Sequence, residues 1–337
     1  MTVDPKIRQD NQWKFRPLIS SRLMIWLVLG CLVLIWSGKA TQMDRAIGLT
    51  GQAVVAVVTG SKESQVANGF SQIGKSLWPL QLETRTLVSQ IGNFNADNLP
   101  LFSHLDKREI VTQAMDPATG QMTTSRQMVS ELVVPYGYTF LVLGKLVETL
   151  QIALWGTILS LLISIPLGYL GARNLMGDGI IVQVARAVVS FLRAIPELVS
   201  ALFLVVAYGF GPIAGVLALG LHGAGFLGKF FADDSENADL KPQEALQALG
   251  ANRLKVARFA VLPQVMPQYT AYTLYILDRN IRMATVIGLV GAGGIGQELK
   301  GRFDMYAYDH VATILVAIFL LVLLIDAISA KLREKLL

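Results

Sequence analysis

Three groups of residues in this sequence have types and spacing suited to chemistry. Gly69, Gly74, Lys75 and Ser76 match GxxxxGK[ST], the loop whose backbone amides cradle nucleotide phosphates. Gly291, Gly293 and Gly296 match GxGxxG, the dinucleotide-binding turn, with Gly294 between them. Asp278, Arg279 and Arg282 place three charges in an otherwise apolar run. Each group depends on the segment that holds it. A phosphate loop needs a buried strand before it and a helix after it, and SKESQVAN ahead of Gly69 is no buried strand. The second pattern needs a strand-to-helix turn and an acidic residue about 20 positions on in another strand, and neither context is present. Glycines at the end of a membrane helix allow close packing or a break instead. A bend at the outer mouth of a pathway is therefore expected at 288–296.

The charges are harder to dismiss. An ionisable side chain at the centre of a membrane helix costs ~2.5–3.5 kcal/mol on insertion scales, so it faces a bundle interior or water. Asp278 and Arg282 are four apart and can pair on one helix face, leaving Arg279 for another partner. Two readings stay open: a polar lining whose positive charge suits an anion, or an internal ion pair that sets packing. His222 lies among Gly220, Ala224 and Gly228, whose four-residue spacing permits close helix contact. A histidine satisfied by a neighbouring carbonyl and one lining a pathway are its two readings. Arg193 and Glu197 are also four apart and are expected to be able to pair. The three histidines are scattered, so no metal spacing exists, and no Ser/His/Asp arrangement is supported. An enzyme is not expected.

The elements that must position these residues are apolar. The chain has 337 residues, 53% hydrophobic and 16% charged, where soluble domains carry about 25% charged. This composition is that of an integral membrane protein. The net charge of +5 reflects basic residues clustered beside apolar runs, the positive-inside pattern, and does not point to nucleic acid. The single cysteine, Cys31, can form no internal disulfide. Six spans are expected: 23–38, 149–170 with a kink near Pro166, 187–209, 213–231, 265–290 and 311–330. The first is short, and a secretory signal competes with it, but no small-x-small cleavage site follows. The segment 1–22, the linker 171–186, the loop 232–264 and Lys331, Arg333 and Lys335 carry the basic residues, which places both termini in the cytoplasm. The insert 39–144 then lies outside, followed by a core at 145–337. The insert is polar, with weak helical pattern at 41–58 and 62–78 and a turn at 116–120.

The polar island at 242–263 organises the rest. Pro242 suits a first helical turn and Glu244 its positive end, while Gly250 is placed to end that helix in a left-handed conformation. Asn252 can cap a second helix that Pro263 ends or kinks. Leu246, Leu249, Leu254 and Ala257 form an apolar face available to other helices or to a groove.

This stretch resembles the coupling loop of ABC-importer permeases, EAA, three residues, Gly, nine residues, Ile, one residue, Leu-Pro. Glu244, Ala245, Gly250, Leu262 and Pro263 stand at matching positions, with Leu246 for the second Ala and Ala260 for the Ile. From about Lys145 onward the chain is similar to phosphonate permeases and their phosphite and hypophosphite relatives. The carriers are VETLQIALWGT, FLRAIPELVSALF, GPIAGVLALGLHGAGFLGKFF and NIRMATVIGLVGAGGIG. The resemblance implies an all-α, six-span type I ABC importer permease of the bacterial inner membrane. It implies two copies forming the pathway, two ATPase subunits gripping the coupling loops, and an external binding protein. The chain itself would bind no cofactor, with ATP and Mg at the partner ATPase. A methionine or other small-solute permease is the alternative within the family, and a secondary transporter the alternative outside it.

Overall fold

The computed structural model describes residues 21–59, 64–92, 94–95, 99–100, 102–115 and 122–336. Residues 1–20 of the expected cytoplasmic segment 1–22, and the turn at 116–120, lie outside the described residues. The chain divides into two units, Met1–Ser76 and Leu77–Leu337.

The first unit holds three helices: α1 (Ser21–Ala40), α2 (Met43–Thr59) and α3 (Gln65–Ser76). The apolar run expected at 23–38 lies inside α1. Thr41 and Gln42, the latter at φ 54°, break the helix, and α2 departs at 69°. The Ser64 hydroxyl accepts from the Ala67 amide and caps α3. Gly69, Gly74, Lys75 and Ser76 all lie within α3, where most backbone amides serve the helix ladder. A phosphate cradle cannot form there.

The second unit opens with a three-stranded antiparallel sheet: β1 (Thr84–Leu87), β2 (His104–Met115) and β3 (Met122–Val134), in the order β1-β3-β2. Val134 pairs with Thr84, and Met122 with Met115. The chain is mostly helical, but this sheet departs from the all-α expectation.

The helices follow: α4 (Gly137–Gly171), α5 (Arg173–Met176), α6 (Ile180–Ala194), α7 (Glu197–Tyr208), α8 (Pro212–Asn237), α9 (Leu240–Ala248), α10 (Arg253–Val256), α11 (Leu262–Gly288), α12 (Gly294–Asp304) and α13 (Tyr308–Leu336). Among the described residues α4, α8 and α13 are each long and apolar enough to cross a membrane, and two bent pairs also qualify, α1–α2 at 69° and α6–α7 at 88°. Helix α11 has the length, 27 residues, but carries the charges seen in the sequence. α4 begins at Gly137, ahead of both the span expected from 149 and the core boundary at 145, and it runs through Pro166 as one helix.

Small residues bring α4 and α8 together. A Cβ on Gly156 would sit 2.9 Å from Leu219 Cβ, and one on Gly168 2.7 Å from Phe231 Cβ. In return Gly220 accepts Leu159 of α4. Gly228 faces Val189 of α6, so the glycine stripe of α8 serves two neighbours rather than one. The Ser160 hydroxyl donates to the Gly220 carbonyl at 3.0 Å across the same contact. Ile152, Ala153, Ala218, Leu219, Ala284 and Ile287 fill the core between α4, α8 and α11.

Candidate functional site

The turn between α9 and α10 is built from its own punctuation. Asp239 caps α9 by accepting from the Lys241 amide at 3.1 Å, and Pro242 lies within the first turn. Gly250 adopts φ +79° just past the helix end. Its amide donates to the Gln247 carbonyl and the Ala251 amide to the Leu246 carbonyl, the paired bonds of a left-handed helix terminus. The Asn252 side chain accepts from the Lys255 amide at 2.9 Å and starts α10. So Gly250 and Asn252 act as the sequence predicted.

Pro263 does not. From Arg253 the backbone stays helical through a π-helical stretch at Ala257–Val261 into α11, and Pro263 occupies the first turn of α11. Proline lacks the amide an α-helical ladder would use, and the wider π turn ahead of it absorbs that loss without ending the helix.

The turn is anchored from beneath. Gln243 is buried and donates to the Ala238 and Asp239 carbonyls, while its Oε1 accepts from Asn174. Arg253 donates to the Met176 carbonyl at 3.2 Å. Leu246 and Ala257 pack on Ala172, Leu175, Val256 and Val261. The proposed apolar face therefore divides. Two of its members hold the turn to the body, while Leu249 is 83% and Leu254 65% exposed, with Phe259 close to Leu254 in sequence at 62%. Glu244 and Ala245 are exposed as well.

A second constellation lies partway along the helices. Arg279 of α11 donates to Glu197 Oε1 at 2.8 Å and lies 3.0 Å from His222 Nε2. His222 Nε2 is 2.6 Å from Glu197 Oε2, and its Nδ1 donates to the Ile195 carbonyl at 3.0 Å. That carbonyl lies in the break between α6 and α7, so the ring satisfies a group that the bend leaves without a helical partner. Arg279 also lies over the Phe226 ring at 5.0 Å. His222 thus meets a carbonyl, as one reading expected, and belongs to an ion cluster too.

The expected Arg193–Glu197 pair does not form. Pro196 lies between them, pushes Ile195 to an extended conformation (φ −84°, ψ 120°) and ends α6. Four-residue spacing brings side chains together only along one helix. Glu197 turns instead to partners distant in sequence.

On a neighbouring face of α11, Arg282 pairs with Asp278 at 2.7 Å, as its spacing indicated, and with Asp326 of α13 at 3.2 Å. Asn280 donates to Thr157 at 3.0 Å within the core. Asp326 had no local signal in the sequence beyond being an acid inside an apolar run.

The glycine-rich turn closes the site at the end of α11. Gly291, Gly293 and Gly294 have φ values of +92°, +86° and +70°, and a Cβ on Gly296 would strike the Thr285 carbonyl. The first amides of α12 are already used: Gly294 donates to Glu148 Oε1 at 3.0 Å and Ile295 to Thr149 Oγ1 at 2.8 Å. A carboxylate of α4 occupies the position a phosphate would take, which ends the dinucleotide reading. No cluster of metal-ligating side chains occurs among the described residues.

Comparisons with known proteins bear on this geometry. Residues 164–336 match the family described as binding-protein-dependent transport system inner membrane component. The chain is 52% identical over 260 residues to the putative phosphite transport system permease protein HtxE of Stutzerimonas stutzeri, covering 77% of this chain and 100% of that one. It is 43% identical to the phosphite transport system permease protein PtxC of the same organism, over 56% of this chain and 69% of PtxC. A probable D-methionine permease, MetI of Vibrio cholerae, is more distant, at 24% over 45% of this chain and 66% of that one. Among solved structures, an inward-facing MetNI methionine transporter chain aligns with a TM-score of 0.51 at 23% identity, over 59% of this chain and 97% of that one. That likeness shows a shared fold. The chain belongs to the family of binding-protein-dependent transport system inner membrane components, the permease subunits of such importers.

Proposed function

We propose that this chain is the membrane-spanning subunit of an ATP-driven importer for phosphite or a closely related reduced-phosphorus oxyanion, hypophosphite or a phosphonate. The observation that carries the reading is the 52% identity spanning the full length of a phosphite-system permease. Methionine is the weaker reading, because the methionine relative is far less similar.

In this reading the chain does no covalent chemistry. ATP and Mg act at partner ATPase subunits, and an external binding protein delivers the anion. The α9–α10 turn is the contact with the ATPase. Leu249, Leu254 and Phe259 offer apolar surface to a groove, while Gln243, Arg253 and Leu246 tie the turn to α5 and α11. Motion of the turn is then passed directly into α11, because the backbone is helical from Arg253 to Gly288. That helix carries Asp278, Arg279 and Arg282, so the coupling surface and the polar layer share one lever.

A second copy of the chain completes the pathway. Arg282 and Asp326 keep 44% and 52% of their side-chain surface exposed in a single copy. A charge facing hydrocarbon is costly, so this face requires protein or water against it. With six spans, α11 among them, both termini and the basic α9–α10 turn lie in the cytoplasm of a bacterial cell. The insert at 39–144 lies outside, on the side from which the binding protein docks.

The test is ATPase activity of the complex purified through a tag on this chain, with its binding protein, against alkylphosphonates, phosphite, hypophosphite, phosphate, sulfate and methionine. Stimulation by a reduced-phosphorus anion is expected. Stimulation by methionine alone would replace the substrate while keeping the importer.

A further inference from the structure

One cavity is used neither by the coupling turn nor by the Arg279 cluster. It holds about 240 Å³ and lies between α4, α6 and α8, at the end of α4 marked by Gly171. Gly171, Gly228 and Ala232 line it with little or no side chain, which leaves the space open. Its walls are basic. Arg186 and Arg193 of α6 stand on either side of Ser190, and Lys229 of α8 faces them with Asp233.

The charges around this cavity do not balance. Arg186 is paired with Glu236 at 2.6 Å, and Lys229 with Asp233 at 2.9 Å. Arg193 makes no ion pair among the described residues; its guanidinium rests over the Phe226 ring at 5.6 Å. Three cations therefore meet two carboxylates. A guanidinium on an aromatic face still has its edge donors available, and that edge recognises phosphate oxygens. Basic cavities between membrane helices at headgroup depth suit anionic lipid phosphates.

We propose that this cavity is a binding site for a phosphate group, with Arg193 as the residue that selects it and Arg186 and Lys229 as supporting cations. Two sources share that chemistry: the phosphodiester of an anionic phospholipid and a free phosphate-like oxyanion. The inference does not depend on which solute the chain transports.

The experiment uses the purified full chain in detergent. Native mass spectrometry measures retention of phosphatidylglycerol against phosphatidylcholine, with and without excess inorganic phosphate, and calorimetry measures binding of inorganic phosphate alone. Wild type is expected to retain phosphatidylglycerol over phosphatidylcholine, or to bind phosphate. Arg193→Gln should weaken whichever is bound by about fivefold, the effect of one basic residue at a membrane surface, and Arg193→Lys, which keeps the charge but not the planar fork, should restore only part of it. Ser190→Glu, which leaves every cation in place, should weaken binding similarly. Phosphatidylglycerol retention that is sensitive to Arg193→Gln and indifferent to inorganic phosphate identifies a lipid headgroup site. Calorimetric phosphate binding weakened about fivefold in Arg193→Gln identifies a free-anion site, and phosphate binding or lipid retention indifferent to Arg193→Gln overturns the proposal. Equal retention in wild type, Arg193→Gln and Ser190→Glu, with no phosphate binding, overturns the proposal.

Discussion

Arg279 on α11 donates to Glu197 at the start of α7 across 2.8 Å, joining residues 82 apart in the chain. With His222 completing the cluster, the bend at Ile195–Pro196 is tied to the helix that leads to the coupling turn. Glu197 is nearly buried, at 11% side-chain exposure. Removing one partner of a buried ion pair leaves the other uncompensated, at a cost of ~3–5 kcal/mol. Glu197→Gln should therefore lower the unfolding midpoint of the purified chain, with a cost of that order. A variant that unfolds like wild type would show that the pair contributes nothing to holding the bend.

Gly250 separates conformation from contact. A Cβ there meets nothing within 4 Å, so the cost of a side chain comes from the backbone at φ +79° alone. Gly250→Ala should cost about 1–2 kcal/mol locally, and Gly250→Asn less. Gly250→Pro locks φ near −65° and removes the amide that bonds to the Gln247 carbonyl, so it breaks the turn. The complex should still insert and hydrolyse ATP, with uptake lost. Parallel ATPase and uptake assays decide this, and normal uptake in Gly250→Pro would refute a mechanical role for the turn.

Leu249 and Leu254 are mostly exposed in the isolated chain, at 83% and 65%, so Leu249→Asp removes almost no buried area and Leu254→Asp only a little. Their effect on unfolding should stay within about 0.5 kcal/mol, as for ordinary surface changes. Co-purification of the ATPase subunit through a tag on this chain should fall sharply. Retained co-purification in both variants would place the ATPase contact elsewhere.

Two glycines of α4 should answer oppositely. A Cβ at Gly168 would lie 2.7 Å from Phe231 Cβ, whereas one at Gly144 meets nothing within 4 Å. Gly168→Ala should cost ~1–3 kcal/mol through overpacking. Gly144→Ala should be neutral or stabilising by up to about 1 kcal/mol, because alanine favours the helix. Thermal unfolding of the two variants side by side measures the difference. Equal behaviour would mean that the α4–α8 approach is looser than the geometry states.

What the sequence made legible was local. Gly250 and Asn252 act through bonds to residues within five positions, so their types announced the turn. Asp278 and Arg282 pair within one helix, and the spacing was sufficient. Arg279, Glu197 and His222 come from three helices, and no spacing rule joins positions so far apart. The same rule misled at Arg193 and Glu197 because Pro196 interrupts the helix between them, a signal present in the sequence and decisive in the fold. The sheet was obscured because Glu131, Leu132 and Val133 are all buried, so β3 lacks a clean alternation there. The turn expected at 116–120 was its one hint, since the flanking β2 and β3 pair from Met115↔Met122 onward.

Uptake of radiolabelled phosphite into proteoliposomes holding the whole complex, with binding protein and ATP supplied on their proper sides, separates an ATP-driven importer from every other carrier. Saturable uptake is expected that requires both ATP and binding protein and is abolished by Leu249→Asp without loss of the chain from the membrane. Uptake that runs on an ion gradient with the ATPase omitted would contradict an ATP-driven importer.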